Sequence, residues 1–200
     1  QKAVDIGAGI RAPTYVSGPA SHGWWAMVIT LVVGGMVLAM SAFSYVFLWS
    51  RNPQTWAPPP EVASLAMLLA MNAAGVLLAW GACRILRRGG RVRAALATLL
   101  MLLAVGLVGG AWGLDLSAWH ATGLDPTVNA QGATVYTFMA WQGFFVSVAG
   151  LMGLFLLLRW MAGLVRADCP STVDLIALFV AYTAGQGAFA GLLLRLFPGS

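Results

Sequence analysis

The sequence predicts an all-α membrane protein with five transmembrane helices, the amino terminus cytoplasmic and the carboxyl terminus periplasmic. Of its 200 residues, 60% are hydrophobic and only 8% are charged, whereas a soluble domain carries about 25% charged residues. Five apolar stretches are each long enough to cross the ~30 Å hydrocarbon core of a bilayer, which takes about 20 helical residues. Arginines cluster beside these stretches, so membrane orientation accounts for the net charge of +5 and nucleic acid binding does not.

The amino-terminal part divides into a linker and two helices. Residues 1–21 are polar and are assigned to a surface linker, and residues 22–200 are assigned to the five-helix domain. The first helix is expected over about Trp24–Trp49, between tryptophans of the kind that mark membrane interfaces. The second is expected over about Glu61–Leu86, because Pro58-Pro59-Pro60 can start a helix and an acidic residue suits its positive end.

The other three helices follow, separated by short polar segments. They are expected over about Ala94–Trp119, Ala130–Trp160 and Asp174–Phe197, with a polar loop at His120–Asn129. Ser171 and Asp174 have the spacing of a capping box, which predicts the start of the last helix.

A basic turn between the second and third helices predicts the orientation. It contains Arg84, Arg87, Arg88, Arg91 and Arg93. Loops rich in arginine stay cytoplasmic, and this choice puts most other basic residues on the same side: Lys2, Arg11, Arg159 and Arg166, against Arg51 and Arg195 opposite. The five arginines are also candidates for contact with anionic lipid head groups. Orientation alone is the alternative explanation for them.

The interiors of the predicted helices contain small and amide residues. Small residues four apart allow close helix packing, which makes candidates of Gly106, Gly109, Gly110, Gly113, Gly187 and Gly191. The most polar mid-span residues are Asn72, Gln142 and Gln186. We interpret these three as hydrogen-bond links between helices, with a ligand site as the alternative.

The sequence indicates no catalytic, cofactor-binding or metal-binding residues in this chain. Membrane carriers of protons or haem need ionisable groups or ligands at membrane depth. The candidates are expected at helix ends or outside the helices: Glu61, Asp115, Asp174, His22 and His120. Cys83 and Cys169 have no partners at metal or redox spacing and are interpreted as reduced structural thiols.

A series of short segments resembles a known family. They are Ser21-His-Gly-Trp-Trp-Ala-Met27, Phe43-Ser-Tyr-Val-Phe-Leu-Trp49, Trp56-Ala-Pro-Pro59, His120-Ala-Thr-Gly-Leu-Asp-Pro-Thr127, Val135-Tyr-Thr137, Trp141-Gln-Gly-Phe144 and Tyr182-Thr-Ala-Gly-Gln-Gly187. In order they resemble cytochrome c oxidase subunit III, most closely the subunit III portion of bacterial chains fused behind subunit I. In the Trp56–Pro59 segment one residue is inserted into that family's Trp-Pro-Pro turn. The resemblance covers nearly the whole chain.

The resemblance implies an accessory, non-catalytic subunit of an aa3-type oxidase in the bacterial inner membrane. It implies subunits I and II and phospholipids as partners, with haem a and copper in the partner subunits and no cofactor in this chain. Subunit III of a quinol oxidase and a small membrane transporter or channel are the alternatives. The chain departs from the family at three places: a glutamate expected near Gly34 or Gly35, a histidine expected at Phe145, and a Trp-His pair expected at Val180-Ala181.

Overall fold

Five long helices form the bundle in the computed structural model, which describes residues 3–5, 11–13, 22–61, 64–167 and 170–197. They are α1 (His22–Arg51), α2 (Leu65–Arg87), α3 (Arg91–Ala121), α4 (Ala130–Met161) and α5 (Ser171–Leu196). Each is long and apolar enough to cross a membrane. The prediction of five helices that can span a membrane is therefore confirmed, and the orientation of the termini stays a prediction.

Two short strands precede the helices. β1 (Ala3–Asp5) pairs antiparallel with β2 (Arg11–Pro13), where the sequence predicts no strand. Three residues are too few to show the alternation by which a strand is recognised. The rest of the predicted linker, up to residue 21, lies outside the described residues, so the division into linker and domain stays a prediction.

α2 begins four residues later than predicted. Ser64 occupies the N-cap position, and its hydroxyl accepts a hydrogen bond from the Met67 backbone N–H at 3.3 Å. The prediction that the proline triplet opens this helix is wrong, because a capping serine supplies a better start. Glu61 is exposed ahead of the helix and contributes nothing to its first turn.

α3 runs further than predicted, to Ala121, so His120 belongs to the helix and not to the loop. In the loop, the Asp125 carboxylate accepts hydrogen bonds from the Thr127 N–H and hydroxyl, both at 2.7 Å. These bonds lower the pKa of Asp125. Asn129 then caps α4 by accepting a bond from a first-turn backbone N–H.

α5 begins at Ser171, and Pro170 at its N-cap position makes no side-chain capping bond. The predicted capping box is therefore wrong, since Ser171 is already the first helical residue. Asp174 instead accepts two hydrogen bonds from Arg87 Nη2, at 3.1 and 3.2 Å. This contact places the end of α2 beside the start of α5. We call this end of the bundle, with the α2–α3 turn and the α4–α5 connection, the basic end.

The α2–α3 hairpin is the centre of the bundle, with α5 packed against it. Its turn is tight because Gly89 and Gly90 adopt φ values of 70° and 97°, which residues with a Cβ rarely adopt. Buried alanines such as Ala79, Ala82 and Ala97 lie along the hairpin. Small side chains let the two backbones approach closely.

The end opposite the basic end is closed by the α1–α2 loop. The Ala57 backbone exchanges two hydrogen bonds with the Gln131 amide, at 2.8 and 2.9 Å. Trp56 is buried and packs edge to face against Tyr45, with ring centroids 4.8 Å apart. The Tyr45 hydroxyl donates to the Phe197 carbonyl at 3.2 Å. α1, the loop and the end of α5 are thereby joined.

Candidate functional site

The polar residues predicted at mid-span meet inside the bundle. The Gln142 amide of α4 donates to the Thr183 carbonyl of α5 at 2.9 Å. Gln186, also on α5, donates to the Gln142 side-chain oxygen at 2.9 Å. All three residues are buried. The interpretation of Gln142 and Gln186 as a link between helices is confirmed.

Asn72 lies beside this link but makes no direct bond to it. Its amide donates to the Leu68 carbonyl within α2 at 2.9 Å, and its buried Oδ1 has no hydrogen-bond partner among the described residues. A Cβ built on Gly187 would lie 2.8 Å from Gln142 Nε2 and 3.6 Å from Asn72 Oδ1. Because glycine has no Cβ, residue 187 leaves space for the side-chain amides of Gln142 and Asn72. We call Asn72, Gln142, Thr183, Gln186 and Gly187 the amide cluster.

A cavity of about 20 Å³ connects the amide cluster to a buried ion pair. Asn72, Gln142 and Asp115 are among its lining residues. A cavity of this volume is large enough for one water molecule and too small for a larger ligand. The geometry therefore favours hydrogen-bonded packing over the alternative of a ligand site at the amide cluster.

The buried ion pair joins α3 to α5. Arg195 Nη2 lies 2.7 Å from Asp115 Oδ1, and the side chains are only 8% and 9% exposed. Sequence reasoning placed both residues near helix ends and missed the pair. The available signal was that two opposite charges are predicted at the same membrane level, near the ends of α3 and α5.

Two of the positions where the chain departs from the resembled family face each other. A Cβ built on Gly34 would lie 2.7 Å from Phe145 Cζ and 3.1 Å from the Tyr182 hydroxyl. The Phe145 ring also stacks on Phe179, with centroids 5.5 Å apart. The aromatic ring thus fills the space that a side chain at residue 34 would need. An apolar contact occupies the place where the resemblance predicts polar groups.

Three of the five arginines of the basic turn make side-chain contacts with other residues of the chain. The Arg84 guanidinium lies 3.9 Å from the centroid of the Trp80 ring, a cation–π contact. Arg87 binds Asp174, as described above. Arg93 donates to the Arg88 and Gly89 carbonyls, at 2.7 and 3.3 Å. Lipid contact by the five arginines stays a prediction.

Of the glycines predicted to pack helices, Gly187 makes the tightest approach. Gly110 approaches the flexible end of Met71, with the built Cβ 3.2 Å from Cε, and contacts at Gly109 and Gly191 are ordinary. Beyond the backbone of α3 itself, no described atom lies within 4 Å of a Cβ at Gly106 or Gly113. These two glycines therefore do not pack a neighbouring helix of the described chain.

Sequence reasoning missed several close approaches at glycines, two of them between neighbouring helices of the α2–α3–α4 series. A Cβ built on Gly143 would lie 2.6 Å from the Trp112 ring, and one on Gly75 would lie 2.8 Å from a Val108 methyl. A search for glycine pairs misses both. The wider small-xxx-small pattern finds both, because Ala79 follows Gly75 and Ser147 follows Gly143 by four residues.

Comparison with known proteins does not identify a family. A scan of the chain against protein-family models finds no match, and a search of the curated proteins finds none either. Among the side chains of residues 23–61, 64–167 and 170–197, no group of three His, Cys, Asp or Glu could hold a metal ion. Cys83 is buried, with its thiol 3.9 Å from the Val173 carbonyl, and Cys169 lies outside the described residues.

Proposed function

We propose that this chain is an accessory, non-catalytic part, like subunit III, of an aa3-type cytochrome c oxidase in a bacterial inner membrane. Subunits I and II would hold haem a and copper, transfer electrons from cytochrome c to oxygen and pump protons. The role of this chain is to stabilise the catalytic subunit and the lipid around it. The basic end would face the cytoplasm, because arginine-rich loops stay there.

The observation that carries the proposal is that the segments on which the resemblance rests meet in the folded chain. Tyr45 and Trp56, from two of these segments, pack edge to face at 4.8 Å. Gln142 and Gln186, from two others, share a hydrogen bond of 2.9 Å. Segments far apart in sequence thus form the internal contacts of one bundle. This convergence supports a shared architecture over a chance similarity of short motifs.

The exposed face of α1 supports the same proposal. α1 packs against α4 and α5 and has the least buried span of the five helices. Its exposed apolar side chains include Ile29, Val32, Met36, Met40 and Phe43, each more than half exposed. A membrane helix that exposes so much apolar surface is suited to contact with lipid or with a neighbouring membrane subunit.

The test is purification of the full chain, with an affinity tag, from native membranes in mild detergent. We expect a-type haem and copper to copurify, together with the subunits that bind them, and a reduced-minus-oxidised absorption spectrum detects the haem. Crosslinking before solubilisation retains subunits that detergent would strip. An intact chain that crosslinks to no haem-bearing companion would overturn the proposal.

The same preparation separates the two oxidase alternatives. Oxidation of reduced cytochrome c by the purified complex supports a cytochrome c oxidase, and oxidation of a quinol only supports a quinol oxidase. A transporter or channel is disfavoured because two of the most polar mid-span residues, Gln142 and Gln186, bond to each other. Solute flux through liposomes containing only the purified chain would support that alternative.

A further inference from the structure

A cavity of about 620 Å³ lies at the basic end, between the start of α3 and the connection from α4 to α5. Arg91, the first residue of α3, and Arg166, in the connection, both line it. Trp160, Met161 and Val165 also contribute to the wall. From the sequence, Arg166 serves only to predict the orientation of the chain. The fold brings it to the same cavity as Arg91, from which it is far apart in sequence.

The charge around this cavity is strongly positive. Seven arginines of the described helices and connections lie at the basic end: Arg84, Arg87, Arg88, Arg91, Arg93, Arg159 and Arg166. Among the carboxylates of the same described segments, Asp174 comes to this end, and Arg87 already binds it. Asp168 lies outside the described residues. The excess of cations attracts an anionic group.

The polar wall offers donors suited to a phosphate. Arg91 and Arg166 are both exposed, and each guanidinium carries five N–H donors. Arg166 uses its Nε–H in a bond to the Gly163 carbonyl at 3.4 Å, which orients the side chain from its own loop. The positive amino-terminal end of α3 and the negative carboxyl-terminal end of α4 both border the cavity and oppose each other, so the arginines supply its positive charge.

The apolar wall is suited to the upper part of a lipid. Trp160 is 38% exposed and Met161 is 70% exposed, and both stand at the last turn of a membrane-spanning helix. Tryptophan at such a position lies at the level of lipid head groups. A site that combines cationic donors with exposed apolar surface matches an amphiphile with a negative head group.

We infer that this cavity binds the head group of an anionic phospholipid. Arg91 and Arg166 contact the phosphate, and Trp160 and Met161 contact the glycerol and the first acyl carbons. The inference requires that the helices span a bilayer, and it does not depend on the oxidase proposal. It names two arginines of the basic end as the lipid ligands in place of all five arginines of the turn.

The test measures lipid binding to the purified full chain in detergent by native mass spectrometry. Phosphatidylglycerol and phosphatidylcholine are titrated separately, and we expect a clear preference for phosphatidylglycerol. The double variant Arg91→Gln/Arg166→Gln should bind phosphatidylglycerol more weakly by on the order of 10-fold or more, since each arginine attracts anionic lipid. Arg91→Lys/Arg166→Lys keeps the charge and should retain much of the binding.

The matched control is Arg84→Gln/Arg88→Gln, which removes the same charge from the same end outside the cavity and should change binding by less than about 3-fold. Arg166→Gln alone, at an exposed loop position, serves if the double variant does not fold, and should still weaken binding several-fold. Equal loss in both double variants would show that net charge alone attracts lipid and would overturn the site. Absence of lipid preference, or displacement of the lipid by millimolar inorganic phosphate, would overturn it too.

Discussion

Replacement of Gly187 by alanine tests the packing of the amide cluster. The new Cβ would lie 2.8 Å from Gln142 Nε2 and 3.4 Å from its Cδ, so the Gln142 side chain must move. Although this amide is the end of a flexible side chain, it is held by the bonds to Thr183 and Gln186. Relief of the clash therefore strains or breaks two hydrogen bonds between α4 and α5.

The expected loss of stability follows from three contributions. Hydrogen bonds between membrane helices contribute about 0.6 kcal/mol each, so two of them contribute roughly 1.2 kcal/mol. Overpacking lowers the free energy of unfolding by about 1–3 kcal/mol. The higher helix propensity of alanine raises it by about 1 kcal/mol. We therefore expect Gly187→Ala to lower the free energy of unfolding by about 1–3 kcal/mol.

Gly185→Ala is the control, because no described atom beyond the backbone of α5 itself lies within 4 Å of a Cβ at residue 185. It has the same chemistry on the same helix and should leave stability unchanged or raise it by up to about 1 kcal/mol. Unfolding is measured by SDS titration in mixed micelles, with far-UV circular dichroism as the signal. Equal stability of the two variants would show that Gly187 does not limit the space of the amide cluster, which would refute the reasoning.

Three further predictions use the same unfolding measurement. Asp115→Asn removes the carboxylate 2.7 Å from a buried guanidinium and should cost about 3–5 kcal/mol, whereas Asp115→Leu/Arg195→Met should recover most of that loss. Failure of the double variant to recover would contradict a pairwise origin of the cost. Arg87→Gln should change stability by less than about 1 kcal/mol, because its pair with Asp174 is exposed, and a larger loss would show that the contact is more than a surface ion pair. Gly34→Ala, whose Cβ meets the Phe145 ring at 2.7 Å, should destabilise more than Gly35→Ala, whose Cβ lies 3.5 Å from the Tyr182 hydroxyl; the opposite order would contradict the close contact.

The number and approximate extent of the helices could be predicted because membrane crossing imposes a length of apolar chain that is visible in the sequence. The starts of α2 and α5 could not. At α2, proline residues and a serine a few positions later are both acceptable starts, and the capping bond of Ser64 decides between them. At α5, the Asp174 carboxylate accepts a hydrogen bond from Arg87 in place of the capping bond that the spacing suggests.

The contacts within the site were less predictable than the helices, for a geometric reason. Sequence position gives the depth of a residue in the membrane but not which neighbour its helix face meets. Asp115 and Arg195 could thus be placed at one level without being recognised as partners. In the same way, Gly106 has the spacing of a packing residue, yet no described atom of another helix approaches it, while Gly143 meets Trp112.

The Gly34–Phe145 contact constrains the order in which these two positions can change. A carboxylate side chain introduced at residue 34 would have to pass through the volume of the phenylalanine ring, since even a single methyl group there would lie 2.7 Å from Cζ. A smaller residue at position 145 must therefore come first, or arrive together with it. A mutational path that reverses these steps would pass through a destabilised intermediate, so the two sites are expected to be inherited as a pair.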